Sequence, residues 1–250
     1  MRCLIAIPVY NEAEHLPRVL DAVAGYGHDL LVIDDGSTDR TPSLLKRYAG
    51  VAVITHPENR GYGQSIIDAL NYGDCHGYDW VITMDCDEQH EPAQVPDFVA
   101  AAAADDADVI SGSRYLIEHA EDDPPPTERR QINFLVNGLL ELTLGLKLTD
   151  SFCGFKAHRV AAMRRLTLTE PGYAFPLQFW PQVVRARLRV REIPVRRIYR
   201  DTSRSFGGTL DDPAARLHHY LEVLVRELRV PEPLSCSLPH RSRCACSTDA

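Results

Sequence analysis

The sequence lacks three things that would each have set its class. Its seven cysteines form no Cys-x-x-Cys pair, so nothing indicates a structural zinc site. Cys3, Cys75, Cys86 and Cys153 are scattered through the body, while Cys236, Cys244 and Cys246 fall near the C-terminus. That spacing reads as the reduced thiols of a cytoplasmic protein, not as a disulfide framework. No apolar run reaches the ~18 to 20 residues a spanning helix needs. The apolar start ends at Pro8, Tyr10 and Asn11, too early for a secretory leader. Nor is there a surplus of positive charge. The 27 Lys and Arg face 35 Asp and Glu, a formal charge of −8, which argues against a nucleic-acid partner. The expectation is a cytoplasmic protein with no transmembrane segment, free to sit peripherally on a membrane.

Two nucleotide signatures are also missing. There is no Gly-Lys-Ser/Thr phosphate loop, and Gly61-Tyr62-Gly63 neither follows the first strand nor has a third glycine. A Rossmann dinucleotide site is therefore not expected, and Gly61 to Gly63 reads as the turn that leads into a helix.

What is present is a repeated strand–helix pattern. Leu4 to Val9 and Leu30 to Ile33 read as short buried strands, and Val51 to Thr55, Trp80 to Met84 and Val109 to Ser111 as further strands. Between them lie helical signals: Leu16, Val19, Leu20 and Val23 at helical spacing after an Asn11 cap, Thr41 to Tyr48 capped by Asp39, Gln64 to Tyr72, and a helix opened by Pro92. Such repeats predict an α/β fold with a mostly parallel central sheet flanked by helices. The second half is less regular. Residues 118–128 read as a loop with three consecutive prolines, then helices are predicted over 129–146, 174–187 and around 217–228, with a strand over 190–198. The 129–146 helix carries a narrow polar stripe of Asn133, Asn137 and Glu141 on an apolar body. It fits either a helix packed in the core or one lying on lipid.

In open parallel sheets, ligands bind beyond the carboxyl ends of the strands. Four polar clusters stand there: Pro8 to Glu12, Asp34 to Ser37, Asp85 to Asp87, and Ser111 to Arg114. Asp85-Cys86-Asp87 is the sharpest. Two carboxylates two residues apart on extended chain point the same way, and at ~4 Å they repel by a few kcal/mol at an effective dielectric near 20. A divalent cation with hard oxygen ligands, Mg2+ or Mn2+, removes that conflict and would neutralise a diphosphate leaving group. A bare pair of this kind is commonly turn chemistry. Its place after a buried strand favours the metal.

Taken in order, Pro8-Val9-Tyr10-Asn11-Glu12, Val32-Ile33-Asp34-Asp35-Gly36-Ser37-Thr38-Asp39, Asn59-Arg60-Gly61-Tyr62-Gly63, Met84-Asp85-Cys86-Asp87-Glu88-Gln89-His90 and Gly112-Ser113-Arg114-Tyr115 resemble the family 2 glycosyltransferases. Within these they resemble the polyprenyl-phosphate (dolichol-phosphate) mannosyl- and glucosyltransferases. The resemblance covers roughly residues 1–210. It implies a GT-A-type fold over 1–230, with a nucleotide-sugar-binding half at 1–115 and an acceptor-side half at 116–230; from Pro231 onward no periodicity appears, and a disordered tail is expected at 231–250. It further implies that Pro8, Tyr10, Glu12 and Asp35 hold the nucleoside of a GDP- or UDP-hexose, and that Asp85, Asp87 and Gln89 form the metal and diphosphate site. Arg114, either Arg129 or Arg130, and Arg200 would meet phosphate groups. Transfer would invert the anomeric centre.

The acceptor-side motifs depart from the family. Asp150-Ser151-Phe152-Cys153-Gly154-Phe155-Lys156 stands where Asp followed by Ser/Thr-Gly-Phe-Arg is usual. Cys153 interrupts it and Lys156 replaces the arginine. Gln178 stands near a usual acidic position, and 200–205 lacks the glycine of the late Arg-x-x-Gly segment. Two mechanisms stay open. A lipid phosphate is already anionic and needs only alignment, whereas a hydroxyl acceptor needs a base, for which Asp150 is the candidate. A sugar-nucleotide nucleotidyltransferase would resemble a different first loop. A noncatalytic nucleotide-sugar-binding module would fit loss of an Asp85-Asp87 carboxylate, yet both are present.

Overall fold

The computed structural model describes residues 1–199 and 207–230. Arg200 with the rest of the 200–205 motif, and the expected tail at 231–250, lie outside the described residues.

Among the described residues seven strands form one sheet: β1 (Cys3–Val9), β2 (Asp29–Asp34), β3 (Val51–Thr55), β4 (Trp80–Thr83), β5 (Val109–Ser113), β6 (Lys156–Arg159) and β7 (Val190–Pro194). Their order is β3-β2-β1-β4-β6-β5-β7. Every pairing is parallel except those of β6, which runs antiparallel between β4 and β5. The helices are α1 (Leu16–Ala24), α2 (Thr41–Leu45), α3 (Tyr62–Cys75), α4 (Val95–Ala103), α5 (Thr127–Leu144), α6 (Val160–Met163), α7 (Phe175–Arg185) and α8 (Pro213–Leu228).

The strand sequences explain the layering. β1 is apolar at every position, and its alternate residues enter two different cores. Leu4 and Ala6 pack with residues of α3, α5, α7 and α8, while Ile5 and Ile7 pack with residues of α1 and α4. A sheet covered on both faces requires such unbroken apolar strands. Five parallel strands were thus expected where they stand, and β7 ends at Pro194, shorter than the expected 190–198.

β6 was not expected. Lys156-Ala157-His158-Arg159 has a single aliphatic residue and no apolar alternation. It is nonetheless central: Ala157 pairs with Ile82 on one side and Ile110 on the other. His158 is buried in this position, and burial, then the nearby Lys156 charge, push its pKa down to about 3, so it serves as a neutral core side chain. Because β6 is antiparallel, its beginning lies at the rim where the parallel strands end. That reversal brings 150–155 to the same edge as the donor-side motifs.

Asn11 also differs from expectation. It has a positive φ of 58° and does not cap α1, which begins at Leu16 after His15. Its side-chain oxygen accepts from the amides of Thr38 (2.8 Å) and Asp39 (3.2 Å), tying the loop after β1 to the loop after β2. Asn and Asp tolerate this backbone region better than other side chains do. Asp39 accepts from the Thr41 amide at the start of α2 (2.8 Å).

Helix α5 has one buried face and one exposed face. Ile132, Val136 and Leu140 are buried, while Phe134 and Leu142 are 73% and 82% exposed and Leu135 is exposed beside them. Among the described residues no helix is long and apolar enough to cross a membrane.

Candidate active site

A cleft of about 710 Å3 opens at the carboxyl ends of the parallel strands. Pro8, Tyr10, Glu12, Asp35, Asp85, Asp87, Gln89, Arg114 and Arg129 all line it. Four motifs that are far apart in sequence therefore meet on one rim.

On the β2 side, the two adjacent aspartates take different tasks. Asp34 is buried and accepts from the Ser37 amide (3.0 Å), fixing the turn. Asp35 lines the cleft and also accepts the amides of Arg60 (2.8 Å) and Gly61 (2.9 Å). Gly36 has φ +72°, and a Cβ there would run into the backbone of Glu58 and Asn59. The glycine is what lets the 58–61 loop close over the β2 turn. Gly61 then precedes α3 as expected, and the Gln64 amide is received by the Pro171 carbonyl (3.0 Å).

At the end of β4, the Asp85 amide donates to His90 Nδ1 (2.9 Å). Burial, then the Arg114 and Lys156 charges, lower the His90 pKa to about 3. The ring is neutral, with Nδ1 available as an acceptor that anchors the Asp85 backbone. Asp87 accepts from the Gln89 amide (3.1 Å). Tyr62 hydrogen-bonds the Asp85 carboxylate. Burial and that carboxylate raise its phenol pKa well above the usual value, so it remains a donor. Tyr62 stacks on Tyr173 at 6.0 Å.

The donor set supplied by Asp85 and Asp87 is all oxygen, which suits magnesium or manganese. Among the described residues no group of three or more His, Cys, Asp or Glu forms a metal cage. Two carboxylates in an open cleft leave coordination positions for phosphate and water oxygens, the usual arrangement for a metal that works on a substrate diphosphate. The residues fit such an ion.

On the β5 side, Arg114 faces the cleft and is held from behind by Asp150. Its Nε donates to Asp150 Oδ2 (2.7 Å) and its NH2 to Oδ1 (3.0 Å), while NH1 donates to Tyr199 Oη (3.1 Å). Asn133 also donates to Asp150 Oδ1 (2.8 Å). Burial alone would push the Asp150 carboxyl up; the Arg114 charge and its hydrogen bonds override this and hold it below the ordinary range.

The segment carrying Asp150 is fixed from two elements. Glu192 on β7 accepts the amides of Thr149 (2.9 Å) and Asp150 (3.0 Å). Asn137 on α5 donates to the Thr149 carbonyl (2.9 Å) and accepts from the Ser151 amide (3.1 Å). Asn133 and Asn137 are the polar stripe seen in the sequence, and its purpose is this segment. Cys153, the residue that interrupts the acceptor motif, is a buried free thiol with its pKa pushed up to about 11 by burial, then by Asp150. Lys156 turns inward and donates to the Cys153 carbonyl. Gln178 accepts the amides of Thr169 and Glu170 and donates to Glu227 (2.9 Å), so it organises the α7–α8 packing.

Arg129 lines the cleft, whereas Arg130 stacks over the Tyr115 ring at 3.8 Å. Sequence reasoning missed Tyr62, Asn133, Tyr173, Arg216 and Tyr220, which also line the cleft. Of these, Tyr62 had left a signal as part of the 59–63 motif and Asn133 as part of the stripe on α5.

The family profile described as Glycosyl transferase family 2 matches residues 4–167. The chain belongs to glycosyltransferase family 2. It is 32% identical over 225 residues to an undecaprenyl-phosphate mannosyltransferase of Micrococcus luteus, covering 85% of this chain and 90% of that one. It is 28% identical to a polyprenol monophosphomannose synthase of Mycolicibacterium smegmatis, over 78% and 76% of the two chains. Among solved structures it resembles a glucosyl-3-phosphoglycerate synthase of Mycobacterium tuberculosis in complex with Mn2+, UDP and phosphoglyceric acid. There the TM-score is 0.68 at 17% identity, over 93% of this chain and 80% of that one. This likeness establishes the GT-A-type fold. As a family 2 member the protein is a glycosyltransferase.

Proposed function

We propose that this glycosyltransferase moves a hexose from a nucleoside diphosphate sugar to a polyprenyl phosphate, with inversion at the anomeric carbon. The carrying observation is the state of Asp150. Its side chain is fully buried and both oxygens are bonded to Arg114 and Asn133. A base must reach the proton it removes, and Asp150 does not reach the cleft. Its task is to present Arg114. An arginine held this way suits a phosphate acceptor, which is already anionic and needs no base. The names of the relatives in Micrococcus and Mycolicibacterium support the same acceptor class.

Pro8, Tyr10, Glu12 and Asp35 hold the nucleoside of a GDP- or UDP-linked sugar. Arg114 and Arg129 meet phosphate groups. Asp85 and Asp87, with Gln89 beside them, would hold Mg2+ or Mn2+, which when bound supplies neutralisation of the diphosphate leaving group. The protein's own part is positional: His90 and Tyr62 set Asp85, and Asp150 sets Arg114, so little reorganisation is needed when charge develops. The exposed Phe134, Leu135 and Leu142 on α5 suit peripheral contact with the membrane that carries the acceptor.

The test is sugar transfer from labelled donor to polyprenyl phosphate in detergent. Transfer that depends on the lipid phosphate is expected. Transfer to a soluble hydroxyl acceptor with none to any lipid phosphate would overturn the acceptor assignment.

A further inference from the structure

His56, just after β3, lies between two carboxylates. Its Nδ1 is 2.6 Å from Asp35 Oδ1 and its Nε2 is 2.9 Å from Asp68 Oδ2. The ring is 4% exposed, yet it is not a cleft-lining residue in its own right: Asp35 stands between it and the cleft. Asp68, on α3, is itself fixed, since Gln64 donates to its Oδ1 (3.0 Å) and Arg60 NH1 lies 3.9 Å from its Oδ2.

The hydrogen-bond inventory of Asp35 shows what this array accomplishes. An ionised carboxylate has about four acceptor positions, two on each oxygen. Oδ1 faces His56 and receives the Arg60 amide; Oδ2 receives the Gly61 amide. Three positions are engaged within the protein, and the fourth, on Oδ2, remains for a ligand. The amides hold the carboxylate from the loop side only. The imidazole holds Oδ1 from the β3 side, and Asp68 fixes the imidazole. Together they stop rotation about the carboxylate axis, so that the one open position on Oδ2 is the ligand's.

We infer that His56 and Asp68 are positioning residues for nucleoside recognition. They act through Asp35, which presents a single Oδ2 acceptor to an N–H of the base or an O–H of the ribose. A group supplying only acceptors at that point is rejected, because a buried carboxylate facing another acceptor loses a hydrogen bond on both sides. This rests on the nucleotide-sugar reading above, and the experiment separates the two.

The probes are GDP and UDP, with pyrophosphate as the control that has the diphosphate and no nucleoside, each titrated with Mn2+ present. The variants are His56→Gln and Asp68→Asn, the second being a mild change at a partly exposed side chain. His56→Gln is expected to weaken binding of the preferred nucleoside diphosphate about 10-fold, the scale of one lost hydrogen bond to a charged group. Asp68→Asn is expected to weaken it by about 3-fold, as a smaller loss of the same kind. Pyrophosphate binding stays at the wild-type level, and the loss appears in donor KM while kcat at saturating donor is retained. Nucleotide affinity unchanged in both variants overturns the inference. So does parallel loss of nucleotide and pyrophosphate binding, which marks general loosening of the site. Wild-type protein that binds neither GDP nor UDP overturns the nucleotide-sugar reading, and the inference with it.

Discussion

Arg114 and Asp150 meet fork to fork, two parallel hydrogen bonds of 2.7 and 3.0 Å between a guanidinium at the cleft wall and a carboxylate with no exposed surface. The pair spans the end of β5 and the segment before β6. A lysine carries the same charge but has no planar fork to match it. Arg114→Lys is therefore expected to lower kcat/KM for polyprenyl phosphate by about 100-fold, typical for loss of one aligned electrostatic contact, with nucleotide affinity unchanged. Initial rates at varied acceptor and saturating donor check this. A wild-type acceptor profile would remove Arg114 from the acceptor site.

The same pair gives a pH dependence of stability. The folded Asp150 carboxyl is held below its ordinary value by Arg114 against the opposing effect of burial. Its contribution is fully present above the unfolded pKa of about 3.9 and is lost as pH falls through the lower folded value. Asp150→Asn leaves the buried guanidinium without its counter-charge and should cost about 3 kcal/mol at pH 7. Thermal midpoints between pH 2.5 and 7 should fall with acid in the wild type, and the variant should lack that part of the slope. Identical curves would show that the pair contributes nothing to folding.

Metal removal gives a second activity prediction. Asp87→Ala should cut transfer by about 100-fold or more, as loss of a principal electrostatic stabiliser does. EDTA should abolish activity, and added Mn2+ or Mg2+ should restore it. Full turnover in EDTA would rule out the metal role of Asp85 and Asp87.

Gly154 offers a way to disturb that site without touching its ligands. A Cβ at this position would lie 2.6 Å from Asp85 Oδ2 and 2.7 Å from the Tyr62 hydroxyl. Both are side-chain ends that can move, so Gly154→Ala should fold, with a thermal midpoint near the wild type. The Asp85 carboxylate must shift, and displacements of about 1 Å can cost on the order of 100-fold in rate. Transfer rate and Mn2+ affinity measured together check the expectation. A variant as active as wild type would show that the Asp85 position is not critical.

The side of the cleft proposed to hold the donor was legible because its motifs stand directly after strands of largely apolar residues. β1, β2 and β4 announce themselves, and Asp35, Asp85 and Asp87 follow from them. The acceptor half was harder for a physical reason. β6 satisfies its backbone at the centre of the sheet while carrying Lys156 and His158, so no periodic apolar signal marks it. Asp150 as a candidate base was readable by residue type and motif position; its engagement by Arg114 and Asn133 depends on partners 36 and 17 residues away in sequence. His56 could not be assigned at all, because its two carboxylates come from the β2 turn and from α3.

The reversed strand also sets an order of events during synthesis. β4 and β5 are not neighbours, and each makes an edge of its own until Lys156–Arg159 is inserted between them. A ribosome that has released only the first 115 residues has delivered both flanks of this gap without the piece that fills it. The nascent chain then holds an unpaired edge on β4 and a β5 with neither of its sheet neighbours, the kind of template that recruits other chains. Completion of the sheet waits for β6, a four-residue segment with almost no apolar content of its own, and then for β7, so slow translation between residues 115 and 194 would leave this template exposed.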